Sequence, residues 1–159
     1  MLKDRAGLVN SGASGIGRAT VLAMAAARIW PNPVLASDID EVAVDVARAN
    51  AAANNLADRL ICVEAAGFDH PELASRAPFD LVLANILKQP LIDLSPEMAR
   101  HVSPGGKIIL SGILGDQGQD VIAAYEAAGF ALDRRDDLGE WVTLTMTRRP
   151  AGPVRQRKS

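Results

Sequence analysis

The chain has 159 residues, the length of one ordinary domain and enough to bury a core without disulfides or metal ions. Hydrophobic residues make up 48% of it but aromatic residues only 4%, so the core must be mainly aliphatic, as in a parallel sheet covered by alanine-rich helices. The net charge of −2 gives no reason to expect nucleic-acid binding, and the single cysteine excludes an internal disulfide or a cysteine-based metal site.

Short β-branched runs alternate with longer alanine-rich runs, which is the pattern of βαβ units. The pattern predicts strands at 6–10, 33–37, 59–64, 79–84, 106–112, 130–135 and 141–147. It predicts helices at 15–29, 41–53, 90–102 and 116–128, with a short helix near 70–75. We therefore expect an α/β, Rossmann-like fold with a mostly parallel sheet, which a C-terminal antiparallel hairpin can close.

Several residues mark the ends of these elements. Asp40 can cap the second helix, Gly129 can stop the last one, and the turn at 104–106 should precede a strand. We expect one domain over 1–149 and a disordered basic tail over 150–159. The chain shows neither a signal peptide nor an apolar stretch long enough to span a membrane, so we expect a cytoplasmic location.

The first predicted strand runs through a glycine-rich turn, LVNSGASGIGRA, into a helix. Gly12, Gly15 and Gly17 would let the backbone approach a ligand at the helix N-terminus, although a tight turn without a ligand is the structural alternative. Residues 1–20 resemble the first βα unit of short-chain dehydrogenases, whose turn reads T-G-x-x-x-G-x-G. That resemblance implies NAD as a possible cofactor.

Asp38 ends the second predicted strand, about 20 residues after the glycine turn, where dinucleotide-binding folds place an acidic residue. A carboxylate at this position can accept hydrogen bonds from ribose hydroxyls, and both NAD and S-adenosylmethionine carry that ribose. Capping the next helix is the alternative role, which we assign to Asp40.

Two catalytic readings of the glycine turn lack their partner residues. Hydride transfer by a short-chain dehydrogenase needs a tyrosine with a lysine four residues later, but the only tyrosine is Tyr125 and that position is Gly129. A serine hydrolase needs G-x-S-x-G, but Ile16 stands where the last glycine should be. An NAD-binding module without turnover therefore remains open, and a hydrolase is less favoured.

From about Val21 to Arg149 the chain resembles the catalytic domain of the methyltransferases that modify protein eleven of the large ribosomal subunit. The resemblance is carried by VLAMAAARIWPNPVLASDIDEVAVDVARANAAANN, FDLVLANILKQPLIDLSPEMARHVSPGGKIILSGIL, AAYEAAGF and EWVTLTM. The block ANILKQPL is the most specific part. The resemblance implies an S-adenosylmethionine-dependent methyltransferase that acts on a protein amine, with a ribosomal protein as its partner.

The resemblance also implies roles for individual residues. Asn85 matches the family's asparagine beside the transferred methyl group, where its amide can orient the acceptor amine. Asp38 would bind the ribose, and Glu64 would accept from the adenine amino group, with Asp69 as the alternative. Ser111 ends the fifth strand on the ligand side of such a sheet and belongs either to the site or to its scaffold.

Two features depart from the family pattern. The family's glycine loop is an acidic residue followed by G-x-G-x-G, whereas Asn10 stands near the acidic position here. The family also has a separate N-terminal domain that recognises the ribosomal protein, and nothing in this sequence precedes the first strand. We therefore expect cofactor binding to be retained more readily than efficient methylation, and an exposed apolar face could support a homodimer.

Overall fold

The computed structural model describes residues 7–11 and 16–150, with side chains from Thr20 onward. The strands are β1 Gly7–Ser11, β2 Val34–Asp38, β3 Leu60–Glu64, β4 Phe79–Asn85, β5 Val102–Leu114, β6 Phe130–Leu138 and β7 Trp141–Arg148. The helices are α1 Ile16–Ile29, α2 Glu41–Ala53, α3 Pro71–Arg76, α4 Lys88–Asp93, α5 Ser95–His101 and α6 Gly118–Ala127, with a 3-10 turn at Gly115–Gln117. None of the helices in the described ranges is long and apolar enough to cross a bilayer.

The seven strands form one sheet in the order β3-β2-β1-β4-β5-β7-β6. Strands β1 to β5 are parallel, and β7 runs antiparallel to both of its neighbours. The predicted α/β fold and its closing hairpin are confirmed. The antiparallel strand is not outermost, however, because β7 inserts between β5 and β6. The strand order reverses between β1 and β4, and a crevice at such a point is where open α/β sheets bind ligands.

The structure corrects two predicted boundaries. The segment predicted as one helix over 90–102 is two helices, because the proline after Ser95 occupies the first turn of α5, where its missing N–H costs nothing. Strand β5 begins at Val102, which pairs with Phe79, so the predicted turn at 104–106 is a bend inside the strand. A Cβ at Gly106 would lie 2.8 Å from the Ser103 carbonyl oxygen, so the bend needs a glycine there.

Other predicted ends are confirmed. The Asp40 side chain accepts a hydrogen bond from the Val42 N–H at 2.9 Å, which caps α2. Gly129 follows α6 with φ +97°, and its N–H donates to the Glu126 carbonyl at 3.1 Å. These local signals therefore fix where α2 begins and where α6 ends.

The apolar core consists of two clusters. One cluster packs α1 and α2 on the sheet and includes Ala23 and Val44, while the other packs α4, α5 and α6 and includes Met98. The adjacent residues Val34 and Leu35 of β2 belong to different clusters, as expected for side chains that alternate across a sheet. The parallel part of the sheet is therefore covered on both faces, as such sheets require.

Candidate functional site

Four of the predicted site residues lie at one edge of the sheet. In β2, Asp38 is in register with Glu64 of β3 and with Ser11 of β1. In β4, Asn85 is in register with Ser11 and with Ser111 of β5. Adjacent strands are about 4.8 Å apart, so these residues form one row along the carboxyl ends of five parallel strands.

The glycine turn can be placed only in part. Gly12 and Gly15 lie outside the described residues, and Gly17 belongs to the first turn of α1. Strand β1 ends at Ser11, which lies between Asp38 of β2 and Asn85 of β4. The cofactor contacts of the three glycines stay a prediction.

Asp38 and Asp40 have separate structural roles. The Asp38 side chain is almost buried, and its Oδ1 accepts the backbone N–H of Asp40 at 3.1 Å. Its second carboxylate oxygen has no hydrogen-bond partner in the described part of the chain. The neighbouring Ser37 Oγ is also buried without a partner among the described residues. Polar groups with unused hydrogen-bonding capacity therefore collect at the end of β2.

The Asn85 side chain is positioned from β5. Ser111 Oγ donates to Asn85 Oδ1 at 3.3 Å and also lies 3.4 Å from the Ala84 carbonyl oxygen. Gly112 has φ +80° at an irregularity in the pairing of β5 with β7, and a Cβ there would lie 2.8 Å from Asn85 Oδ1. Ser111 thus supports Asn85, and Gly112 provides the space that this arrangement needs.

The tyrosine and both histidines have structural roles. Tyr125 is buried and donates from its hydroxyl to the Leu91 carbonyl at 3.0 Å, and burial raises the pKa of its phenol. The Nδ1 atom of His70 accepts the Glu72 N–H at 3.1 Å and caps α3. His101 ends α5 and stacks on Phe68 with ring centroids 4.3 Å apart. These contacts weigh against both catalytic alternatives.

Two further exposed apolar residues lie at this edge: Leu87, whose place after Asn85 predicts a role in the pocket wall, and Trp141, which the sequence interpretation missed. Trp141 begins β7, is 53% exposed, and pairs with Leu114 at the carboxyl end of β5. Leu87 follows Asn85 by two residues and is 61% exposed. A large apolar residue just after a strand was a usable signal for Leu87, but Trp141 reaches this edge only because β7 lies beside β5.

The comparison with protein families decides the lineage. The family described as "Ribosomal protein L11 methyltransferase (PrmA)" matches residues 13–149. The chain belongs to this methyltransferase family. The match begins before Val21, so Gly15 and Gly17 lie inside the family region that the sequence interpretation had placed outside it, while Gly12 stays outside.

The relatives of this L11 methyltransferase family member agree. A ribosomal protein L11 methyltransferase of Chelativorans is 54% identical over 134 residues, which cover 84% of this chain and 46% of the relative. The chain thus spans about half the length of the curated relatives it matches. A crystal structure of a ribosomal protein L11 methylase from Lactobacillus delbrueckii has a TM-score of 0.78 at 28% identity and covers 94% of this chain and 73% of that one.

A more distant structure supports the fold alone. An RNA methyltransferase from Salinibacter ruber, solved with S-adenosyl-L-homocysteine, has a TM-score of 0.68 at 23% identity. It covers 96% of this chain and 87% of its own. The Rossmann-like methyltransferase fold predicted from the sequence is therefore confirmed.

Proposed function

We propose that this chain is an S-adenosylmethionine-dependent methyltransferase domain that methylates a protein amine, with ribosomal protein L11 as the acceptor. The observation that carries the proposal is the position of Asn85. In a chain of the L11 methyltransferase family, Ser111 and Gly112 hold this amide at the strand edge beside the switch point. The acceptor is named in the relatives and is extended here to this chain.

The residues at the end of β2 suit an adenosyl group. A ribose presents two neighbouring hydroxyl donors, which match the unused oxygen of the Asp38 carboxylate. Glu64 lies beside Asp38 on the adjacent strand β3, is exposed, and can accept a hydrogen bond from the adenine amino group. Asp69, five residues later, is a second exposed acceptor. The glycines of the turn, Gly12, Gly15 and Gly17, would approach the methionyl part.

The chemistry asks for positioning more than for a strong base. When bound, S-adenosylmethionine supplies a methyl group on a positively charged sulfur, which a neutral amine can attack. Asn85 Oδ1 accepts one hydrogen bond from Ser111 and retains a second lone pair that can orient the amine N–H. Leu87 and Trp141 supply apolar surface that can exclude water around the acceptor side chain. The amine loses its proton to solvent before the attack.

Calorimetry with S-adenosylmethionine, S-adenosylhomocysteine, NAD and NADP tests the cofactor. We expect binding of the first two, and we expect Asp38→Asn to weaken it by at least about tenfold, or about 1.4 kcal/mol. Asp45→Asn, on the exposed side of α2, is the matched control. Binding of NAD alone would instead establish the NAD-binding module as the function.

Transfer of a labelled methyl group to recombinant L11 of Chelativorans tests the catalytic role of Asn85. We expect Asn85→Ala to lower kcat by about 100-fold, since misplacing a reacting group costs that much, while adenosylhomocysteine affinity is kept. Equal transfer by the wild type and the variant would remove Asn85 from the reaction. The expected homodimer stays a prediction that sedimentation can test.

A further inference from the structure

Three apolar side chains form a row across the C-terminal strands. Leu138 of β6 is paired with Trp141 of β7, and Trp141 is paired with Leu114 of β5. Directly paired residues of antiparallel strands point to the same face of the sheet. Leu138 stands at the hairpin tip and is 83% exposed, so a polar side chain at this position would not lower the stability of the fold. Folding therefore does not account for the apolar character of Leu138, and it leaves about half of the Trp141 side chain exposed.

The row lies beside the proposed methyl-transfer site. Leu114 follows Ser111 on β5, and Ser111 touches Asn85. All of the row is at the carboxyl edge of the sheet, which also carries Asn85.

Hydrogen bonds hold the hairpin tip in place. The Gly115 N–H donates to the Glu140 carbonyl at 2.8 Å, and Arg135 donates to the Gly115 carbonyl at 3.1 Å. Arg135 also donates from Nε and Nη2 to the Asp137 carboxylate, at 3.0 and 2.8 Å. A Cβ at Gly118 would lie 3.1 Å from Arg135 Nη1, so a glycine there leaves room for the guanidinium. A surface fixed before binding loses less conformational entropy when a partner docks.

The charge beside the row is negative. Most carboxylates of the hairpin are neutralised by ion pairs, namely Asp133 with Lys107, Asp136 with Arg134 and Asp137 with Arg135. Asp116 and Glu140 are exposed and form no ion pair with any residue that the structure describes. A free lysine or terminal amine is cationic in water. The proposed acceptor is a ribosomal protein, and polypeptides that bind RNA are rich in Lys and Arg, so its charge is opposite to that of Asp116 and Glu140.

We propose that the tip surface, which consists of Leu114, Leu138, Trp141, Asp116 and Glu140, docks the basic polypeptide segment that carries the acceptor amine. The inference rests on the proposed function, and it adds which part of this domain binds the protein substrate and which kind of segment it prefers. The apolar row holds aliphatic side chains of the segment, and the two carboxylates attract its cations. The tip surface binds the segment; of its residues only Trp141 also borders the proposed transfer site, where Asn85 orients the amine.

Fluorescence of Trp141 tests docking without turnover. The chain has two tryptophans, so Trp30→Phe leaves Trp141 as the only indole. This variant is titrated at low salt with a short amidated peptide of alternating lysine and leucine, and with a counterpart that has glutamate for lysine. We expect a saturable change with the lysine peptide alone, weakened by salt. Saturation with the glutamate peptide, or none with either, would overturn the proposal.

Variants then separate the tip surface from the rest of the hairpin. We expect Leu138→Ser, and the pair Asp116→Asn with Glu140→Gln, each to weaken peptide binding by at least about fivefold, within the range of one lost apolar or charged contact. Leu132→Ala and Asp45→Asn, which change an exposed leucine and an exposed aspartate elsewhere, are the controls. Equal losses in the controls would refute the proposal.

Kinetics with L11 complete the test. We expect Leu138→Ser to raise KM for L11 about fivefold and to leave kcat unchanged, as for an interaction present equally in the bound and transition states. A fall in kcat at unchanged KM would contradict docking at the tip. Absence of adenosylhomocysteine binding in calorimetry would refute the proposed function instead, and the peptide titration would still decide whether the tip surface binds basic segments.

Discussion

Asn85 owes its position to a residue without a side chain. Gly112 has a φ of +80°, which favours glycine, and a Cβ there would lie 2.8 Å from Asn85 Oδ1 and 2.9 Å from the Ile86 carbonyl oxygen. The positive φ and the lack of space for a Cβ are independent reasons for a glycine, since the first concerns the Gly112 backbone and the second concerns its neighbours. A substitution at this position should therefore affect both stability and the site.

We predict that Gly112→Ala destabilises the fold and disturbs Asn85. The left-handed backbone costs about 1–2 kcal/mol for alanine, and the contacts of its Cβ at 2.8 and 2.9 Å add about 1–3 kcal/mol because the Asn85 side chain and the Ile86 backbone must shift. Urea unfolding measures the total. Methyl transfer at saturating cofactor, measured under conditions where the variant is folded, measures the effect on Asn85.

Gly105 provides a matched control. It has the same φ of +80°, but a Cβ there would meet nothing within 4 Å. Gly105→Ala should lose only the backbone term and keep full activity. If the two alanine variants were equally stable and equally active, the close approach of Gly112 to Asn85 would have no energetic meaning.

Among the elements, α4 and α6 are joined by one buried hydrogen bond. Leu91 lies in the last turn of α4, where carbonyl groups lack partners within the helix, and Tyr125 donates to its oxygen. The Tyr125 ring also packs edge-on against Phe130, with ring centroids 5.6 Å apart. Because α4 follows directly on Asn85 and Leu87, this bond also helps to hold the polypeptide that leaves the site.

We predict that Tyr125→Phe lowers the free energy of unfolding by about 1–3 kcal/mol, since it leaves the Leu91 carbonyl buried without a donor. Urea unfolding measures this loss. Phe130→Leu keeps the hydroxyl and removes the ring contact, so it separates the hydrogen bond from aromatic packing. An unchanged stability of Tyr125→Phe would mean that another donor or water replaces the hydroxyl.

The sequence predicted the elements well wherever a single residue decides a boundary. Asp40 and Gly129 are such residues, and both act as expected. The break between α4 and α5 was missed because the apolar spacing of Leu91, Leu94 and Met98 continues through it with helical periodicity. Pro96 is the local signal against one continuous helix, because a proline in a helix interior removes a backbone hydrogen bond and clashes with the preceding turn.

For the whole molecule, the alternation of strands and helices predicted the parallel sheet, but it did not predict the place of β7. The short segment between the predicted strands 130–135 and 141–147 predicts a hairpin without saying which of its strands lies against β5, and in the structure β6 continues through Leu138. The choice of β7 brings Trp141 to the edge that carries Asn85, and so the tip surface could not be anticipated. The contacts of Gly12 and Gly15 remain predictions, because these residues lie outside the described ranges.

The two outermost strands of the sheet, β3 and β6, are held in place by different groups, which predicts where acid unfolds the molecule first. At the β3 edge, Arg48 of α2 donates two hydrogen bonds to the Cys62 carbonyl, and these contacts involve no carboxylate. At the β6 edge, partial desolvation raises the pKa of Asp133, but hydrogen bonds from Thr147 and Lys107 outweigh it and lower the pKa. The hydrogen bonds from Arg135 likewise lower the pKa of Asp137.

A carboxylate with a lowered pKa in the fold contributes stability above its unfolded pKa of about 3.9, and this contribution is lost as pH falls through the lowered value. We therefore predict that, between about pH 5 and pH 3, hydrogen-exchange protection falls first in β6 and β7, while β2 and β3 keep theirs. In Asp133→Asn, whose amide cannot titrate, β6 and β7 should have less hydrogen-exchange protection at pH 5 than in the wild type, and that protection should fall less on acidification. A uniform loss across all strands would show that acid acts on the whole molecule at once, and that the ion pairs of β6 do not hold its edge.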